Sequence, residues 1–273
     1  MALIAAERLS IGPAGRSLAG DIAFTLSAGQ IIAVLGANGV GKSTLFRTLL
    51  HLQPARSGSV LLDGIGIGGL SRTAIARRVA FVPQAIDAPF PLTVLDFVVM
   101  GRTTHLRALG RPSRADFRAA GAALSTLGIA GLAQEAITRL SGGERQLALI
   151  ARALAQGSPA LILDEPAAAL DFANRERLAE VLTGLAGQGK GILFSTHDPR
   201  QAARLASAVL CLFRSGRACL LPVDRALDPE TLASLYDMPV DAVRRGLSAD
   251  TACGSRAAKT AEARLQIGRR DRS

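Results

Sequence analysis

The chain has 273 residues, of which 49% are hydrophobic, so it is long enough for one large domain with a sizeable core. Its formal net charge is +10, but only 4% of its residues are aromatic and none is Trp, which leaves few side chains for stacking on single-stranded nucleic acid. The three cysteines form no CxxC pair and no metal-binding spacing, and such sparse use suits a reducing compartment.

The first thirty residues predict short strands joined by glycine-containing turns at 13–16 and 27–30. The N-terminus lacks the basic segment and long apolar run of a signal peptide. No stretch of about eighteen uncharged apolar residues occurs along the chain. We therefore do not expect the chain to span a membrane by itself.

A continuous apolar run at 31–35 predicts a strand buried on both faces, and a helical pattern follows at 43–52. The segment between them has the form Gly-x-x-x-x-Gly-Lys-Ser. Glycines let backbone N–H groups approach phosphate oxygens, and the helix N-terminus adds partial positive charge. The flanking strand and helix argue against a chance glycine-rich turn. We therefore expect ATP to contact Gly36, Ala37, Asn38, Gly39, Val40, Gly41, Lys42, Ser43 and Thr44, with Lys42 at the β/γ oxygens and Ser43 on Mg²⁺.

A second buried strand is predicted at 79–82, and Gln84 just after it can reach Mg²⁺ or the attacking water. Residues from about 85 to 157 contain no comparable strand. Helical patterns occur there instead, around 94–100, 114–127 and 142–155. This block is predicted to be an inserted helical subdomain.

Two acids follow a third buried strand at 160–163, at the strand end where ligands lie in parallel α/β sheets. Asp164 is a candidate Mg²⁺ ligand, directly or through water, and Glu165 is the candidate general base. A plain loop cap is the alternative for a single Asp, but two adjacent acids favour a functional role. His197 follows a fourth strand at 191–195, where it can contact the γ-phosphate and orient the water.

Strands that alternate with helices predict an α/β fold. We expect a P-loop NTPase (RecA-like) core with a mainly parallel sheet, an N-terminal antiparallel β region and the helical insertion. A helix at 174–186 and a final hairpin through 215–216 complete the predicted domain, 1–243. The remaining segment, 244–273, has eight basic and three acidic side chains and few large apolar ones, so we expect it to be disordered. The net charge indicates either attraction to phosphate or compositional drift, because 29 of the 32 basic residues are Arg.

The segment Leu-Ser-Gly-Gly-Glu-Arg-Gln at 140–146 has the form of a turn into a helix, with Ser141, Gly142 and Gly143 facing an anion. Together with the other motifs, including Ala-Leu-Asp at 169–171, it makes residues 3–213 resemble the ATP-binding subunit of ABC transporters. The resemblance implies a head-to-tail pair of subunits. Each ATP would lie between the phosphate loop of one copy and residues 140–146 of the other. It also implies that the helical subdomain receives a transmembrane permease, which ATP-driven closure would move.

The run at 89–106 resembles the subfamily that serves importers of metal chelates, namely ferric siderophores, haem, cobalamin and molybdate. This implies permease partners, an indirect link to a solute-binding protein, and a peripheral place on the cytoplasmic side of the inner membrane, with no nucleic-acid partner. One position departs from the family. Family members usually carry an aromatic residue that stacks on adenine, and the corresponding position here is Pro13. Proline has no π face, so we expect a lower affinity for the base.

Two other functions remain as alternatives. The first is a soluble ABC-type ATPase that acts on nucleic acid or ribosomes, for which the net charge of +10 would matter. Such proteins usually fuse two cassettes or insert long coiled coils, and this chain has neither. The second is a regulatory subunit that binds ATP without turnover, against which the presence of both Glu165 and His197 argues.

Overall fold

Two β-sheets and a set of helices make up the computed structural model, which describes residues 1–13, 15–84, 92–106 and 110–246. The strands are β1 (Ala2–Ile11), β2 (Ala19–Ser27), β3 (Ile31–Leu35), β4 (Ser57–Leu62), β5 (Ile65–Gly66), β6 (Val79–Val82), β7 (Ala160–Leu163), β8 (Gly191–Thr196), β9 (Ala208–Leu212) and β10 (Ala218–Pro222). The α-helices are α1 (Lys42–Leu49), α2 (Arg72–Arg78), α3 (Val94–Val99), α4 (Arg114–Thr126), α5 (Gly142–Gln156), α6 (Phe172–Gly187), α7 (Pro199–Leu205), α8 (Val223–Ala226) and α9 (Pro229–Tyr236).

The larger sheet has the strand order β10-β9-β3-β8-β7-β6. All neighbouring pairs from β9 to β6 are parallel, and only β10 is antiparallel to its neighbour. The central strands β3, β7 and β8 are buried along their whole length, as their continuous apolar sequences predict. Because these strands are parallel, the segments that follow them all begin at one edge of the sheet.

The smaller sheet has the order β2-β1-β4-β5 and is antiparallel throughout. Its buried face packs with α1 and with one face of the larger sheet in a single apolar cluster that includes Phe46, Leu26 and Ile32. The predicted P-loop core with a parallel sheet and an N-terminal antiparallel β region is therefore confirmed.

The second apolar cluster lies on the other face of the larger sheet and joins it to the helical block. Within that block, α4 and α5 each begin with a capping box, Ser113 with Asp116 and Ser141 with Glu144. Hydrogen bonds from Ser113 and Arg102 lower the pKa of the Asp116 carboxyl well below its usual range. In the described part of 85–157 the structure has helices and no strand of the sheets, as expected.

Several boundaries differ from those that the sequence predicts. The helix after the phosphate loop ends at Leu49 and does not extend to Leu52 as predicted. Leu52 lies beyond the helix and is half-exposed. Strands β4 and β5 and helices α2, α7, α8 and α9 were not predicted. Residues 240–246 are helical, so this helix crosses the predicted boundary at 244. The predicted disorder of the remaining segment, 247–273, lies outside the described residues, as do residues 89–91 of the run at 89–106. Among the described residues, no helix combines the length and apolar character needed to cross a bilayer.

Candidate functional site

The phosphate loop leaves β3 at its carboxyl end and runs directly into α1. Gly39 and Gly41 have left-handed φ angles of 79° and 112°, which glycine adopts without strain. A Cβ on Gly36 would lie only 2.6 Å from the main-chain oxygen of Leu212 in the neighbouring strand β9. Glycine is therefore required at this position by the close approach of β9, in addition to any phosphate contact.

Lys42 is the first residue of α1, and its side chain is buried, with 6% exposed. Its ammonium group donates a hydrogen bond to the main-chain oxygen of Gly36 at 2.9 Å. The same Nζ lies 3.4 Å from Oε1 of Glu165. Lys42 thus holds a positive charge at the mouth of the loop, where it faces the Glu165 carboxylate.

Asp164 and Glu165 follow β7, and a buried hydroxyl holds both of them. Ser195 Oγ donates to Oδ1 of Asp164 at 2.6 Å and accepts from the main-chain N–H of Glu165 at 2.8 Å. Glu165 itself has a left-handed φ of 46°, which is uncommon for a residue with a side chain. The Ser195 hydroxyl compensates this strained turn and fixes the direction in which the Glu165 side chain leaves the sheet.

Three of the predicted site residues converge on the Glu165 carboxylate. Gln84 Nε2 donates to Oε2 of Glu165 at 3.3 Å, and His197 Nδ1 lies 3.5 Å from the same oxygen. Lys42 approaches the other oxygen. These residues come from the ends of β6 and β8 and from α1, so the shared edge of the parallel sheet brings them together.

An open cavity of about 300 Å³ lies over the phosphate loop, and we call it the phosphate cavity. Its wall combines backbone N–H groups, hydroxyls, one ammonium group and one carboxylate, a chemistry suited to a polyphosphate. The lining residues are Leu18, Asn38, Gly39, Gly41, Lys42, Ser43, Thr44, Gln84 and Glu165.

The oxygen ligands that Mg²⁺ prefers are present beside this cavity. The Ser43 hydroxyl and the Gln84 amide line it directly, whereas Asp164 is buried and is not among the lining residues. One Asp164 oxygen already accepts the Ser195 hydrogen bond. This arrangement fits an ion held by Ser43, Gln84 and the phosphates, with Asp164 acting through a water. No group of three or more His, Cys, Asp or Glu side chains forms a separate metal site in the described parts of the chain.

The segment at 140–146, which precedes and begins α5, lies apart from the phosphate cavity. None of Ser141, Gly142 and Gly143 lines that cavity. The Ser141 hydroxyl donates to Glu144 at 2.7 Å within the capping box, and these bonds lower the pKa of the Glu144 carboxyl. A Cβ on Gly143 would lie 3.1 Å from the oxygen of Ala169, whereas one on Gly142 would meet nothing within 4 Å. The N-terminus of α5 is therefore open to a partner at Gly142.

Pro13, at the position of the missing aromatic, is exposed, and its carbonyl accepts a hydrogen bond from Arg56 at 2.9 Å. The expectation that this site holds adenine weakly stays a prediction. Two further residues of the site have no motif in the sequence: Leu18, which lines the phosphate cavity, and Ser195, which holds the acidic pair. The only sequence signal for Ser195 was its place at the end of a buried strand.

Comparison with protein families gives a match to the ABC transporter family model over residues 19–168. An uncharacterized ABC transporter ATP-binding protein of Haemophilus influenzae is 45% identical over 210 residues, which cover 77% of this chain and 80% of that protein. The molybdate import ATP-binding protein of the same organism is 37% identical over 222 residues, covering 80% of this chain and 81% of its own.

Among solved structures, the inward-facing conformation of a metal-chelate type ABC transporter matches with a TM-score of 0.78 and 34% identity. The match covers 88% of this chain and 90% of that one. Both kinds of comparison therefore extend well past the phosphate loop, over the helical block and the acidic pair.

Proposed function

The chain belongs to the ABC transporter family as an ATP-binding subunit with ATPase activity, and we propose that it drives an importer by hydrolysing ATP in a head-to-tail dimer. The observation that carries the catalytic part is the convergence of Lys42, Gln84 and His197 on the Glu165 carboxylate.

In the proposed reaction Glu165 removes the proton from the water that attacks the γ-phosphate. Lys42 turns from the carboxylate to the β/γ oxygens when ATP binds and offsets their charge. His197 and Gln84 orient the water and the carboxylate. Mg²⁺, held by Ser43 and Gln84 with Asp164 behind them, would neutralise further charge on the phosphates. The backbone N–H groups from Gly36 to Thr44 cradle the phosphate chain.

We propose that a second copy completes each site, since Ser141, Gly142 and Gly143 lie outside the phosphate cavity of their own chain. The open N-terminus of the 15-residue helix α5 would then face the γ-phosphate of the partner. The exposure of Phe172 supports this arrangement. Its side chain is 79% exposed and lines a cavity of about 330 Å³ together with Glu165 and His197, where a partner would cover it.

Mixing two inactive variants tests the shared site. Gly142→Asp places a negative charge where the partner's phosphate would lie, yet it fits sterically and suits the first turn of a helix. Lys42→Ala disables the phosphate loop. Each variant alone is expected to lack ATPase activity. An equimolar mixture should recover up to about a quarter of the wild-type rate, because half of the dimers carry one intact site of two.

The control is a chain that carries both changes, mixed with wild type in the same ratio as the two single variants. A mixture of the single variants that stays inactive, while both variants remain folded and dimerise, would contradict the shared site. Steady-state phosphate release at several protein concentrations provides the measurement.

We further propose that the imported substrate is a metal chelate or an oxyanion. Several relatives are named as import ATP-binding proteins for molybdate, cobalamin, iron(3+)-hydroxamate and hemin, and one is named for a manganese transport system. The helical block is the proposed docking surface for the permease, and Met100 and Phe117 expose apolar area there. The subunit would then lie peripherally on the cytoplasmic side of the membrane, with a solute-binding protein as an indirect partner.

Stimulation of the ATPase distinguishes this proposal from action on nucleic acid. We expect kcat to rise when the chain is purified with permease chains in lipid nanodiscs, and to remain unchanged when RNA or DNA is added. Stimulation by RNA that disappears steeply with salt, with no response to a permease, would overturn the transport proposal. Uptake of ferric siderophore, haem, cobalamin and molybdate by vesicles that contain the assembled complex would then identify the substrate.

A further inference from the structure

A hydrogen bond links helix α9 to the loop that carries His197. Tyr236, the only tyrosine of the chain, ends α9, and its hydroxyl donates to the main-chain oxygen of His197 at 3.1 Å. Helix α9 lies beyond residues 19–168, over which the ABC transporter model matches. The contact therefore joins a C-terminal element to a residue next to Glu165.

The position of Tyr236 is well determined by packing. Leu232 and Leu235 of the same helix are buried in the second apolar cluster, which joins the larger sheet to the helical block. The Tyr236 ring packs against that cluster. Burial raises the pKa of the Tyr236 phenol above its usual value. The hydroxyl accordingly stays protonated and able to donate at neutral pH.

His197, in contrast, has little to hold its side chain. The imidazole is 61% exposed, and its contact with Glu165 at 3.5 Å is long. The flanking residues are fixed, because Asp198 N–H donates to Oγ1 of Thr196 at 3.0 Å and Asp198 caps α7. The Asp198 N–H and the His197 carbonyl belong to one planar amide, so the bond to Thr196 and the bond from Tyr236 hold its two edges.

We propose that Tyr236 is a positioning residue that orients His197 toward Glu165 by fixing the His197 main chain. The proposal rests on the role of His197 in the function proposed above. Tyr236 is not among the residues that line the phosphate cavity, so we expect its effect on catalysis to run through His197. Through this contact, displacement of α9 would change the rate of hydrolysis with little change in ATP binding.

The test uses the full chain with Tyr236→Phe, which removes the hydroxyl and keeps the ring. We expect kcat to fall about fivefold, as for the loss of one neutral hydrogen bond, with KM within about twofold of wild type. Thr126→Val is the matched control, because it removes another hydroxyl-to-carbonyl bond, from Thr126 to Ala122 on α4. It should leave kcat unchanged.

A spectroscopic measurement separates positioning from a general structural effect. The chain has three histidines, so selectively labelled His resonances can be followed one by one in NMR spectra. In Tyr236→Phe the resonances of His197 should move, while those of His51 and His105 stay in place. Unchanged His197 resonances, or equal shifts at all three histidines, would overturn the proposal.

His197→Ala separates a failure of the catalytic role proposed for His197 from a failure of the positioning role proposed for Tyr236. If it keeps the wild-type kcat, the catalytic role of His197 fails, whereas the NMR comparison still decides whether Tyr236 positions the histidine. If it lowers kcat, adding Tyr236→Phe should cause no further loss. A further fivefold loss in the double variant would show that Tyr236 acts by another route and would overturn the proposal.

Discussion

Glu165→Gln is expected to lower kcat for ATP hydrolysis by at least about 100-fold, the usual contribution of a general base, while ATP still binds. The amide has the size of the carboxylate and can keep contacts with Gln84 and His197, which lie 3.3 Å and 3.5 Å from it. It cannot take the proton of the attacking water. It also no longer attracts Lys42, so the affinity for ATP should be equal to or higher than that of wild type.

Phosphate release gives kcat, and calorimetric titration with ATP gives Kd. Glu180→Gln is the control, since it makes the same change on the exposed face of α6, away from the phosphate cavity. A Glu165→Gln chain that turned over at the wild-type rate would remove Glu165 from the role of base. Loss of ATP binding in parallel with loss of rate would assign it to binding instead.

Lys42→Ala is expected to weaken ATP binding itself, by about 1.5–3 kcal/mol or on the order of 10- to 100-fold in Kd, as for a hydrogen bond to a charged group. The ammonium is buried and is the cation that the structure places against Glu165 in the phosphate cavity. Its removal takes away attraction to the β/γ oxygens. It also leaves the negative charge of Glu165 uncompensated beside the phosphates, which acts in the same direction.

Lys190→Ala is a suitable control because it deletes another partly buried lysine, whose Nζ donates to the Ser158 carbonyl at 2.8 Å. This variant should bind ATP as wild type does, even if it unfolds at a somewhat lower temperature. Equal affinities for Lys42→Ala and wild type, measured by titration calorimetry, would count against the assignment of the phosphate loop.

The sheet could be predicted because its strands are buried on both faces. Such strands appear in the sequence as short continuous apolar runs, and those at 31–35, 79–82 and 160–163 match β3, β6 and β7 residue for residue. Strand β4 was missed because it opens with Ser-Gly-Ser and has exposed residues over its first half. Its place depends on pairing with β1, which is distant in sequence.

The convergence of the candidate site could also be predicted, from the rule that parallel strands end at a common edge. The role of Ser195 could not. Its hydroxyl reaches Asp164 only because β7 and β8 pair with Leu163 opposite Phe194, and register of this kind is a tertiary property. The same reason hides Tyr236, whose partner lies 39 residues earlier in the chain.

The separation of the α5 N-terminus from the phosphate cavity bears on how much ATP an unassembled subunit hydrolyses. If a second copy supplies that terminus, hydrolysis depends on how often two chains meet. A permease that holds two subunits side by side raises their effective concentration to the millimolar range, whereas free subunits meet rarely. A subunit that is not bound to its permease would then hydrolyse almost no ATP. Assembly of the complex would itself prevent hydrolysis that is not coupled to transport.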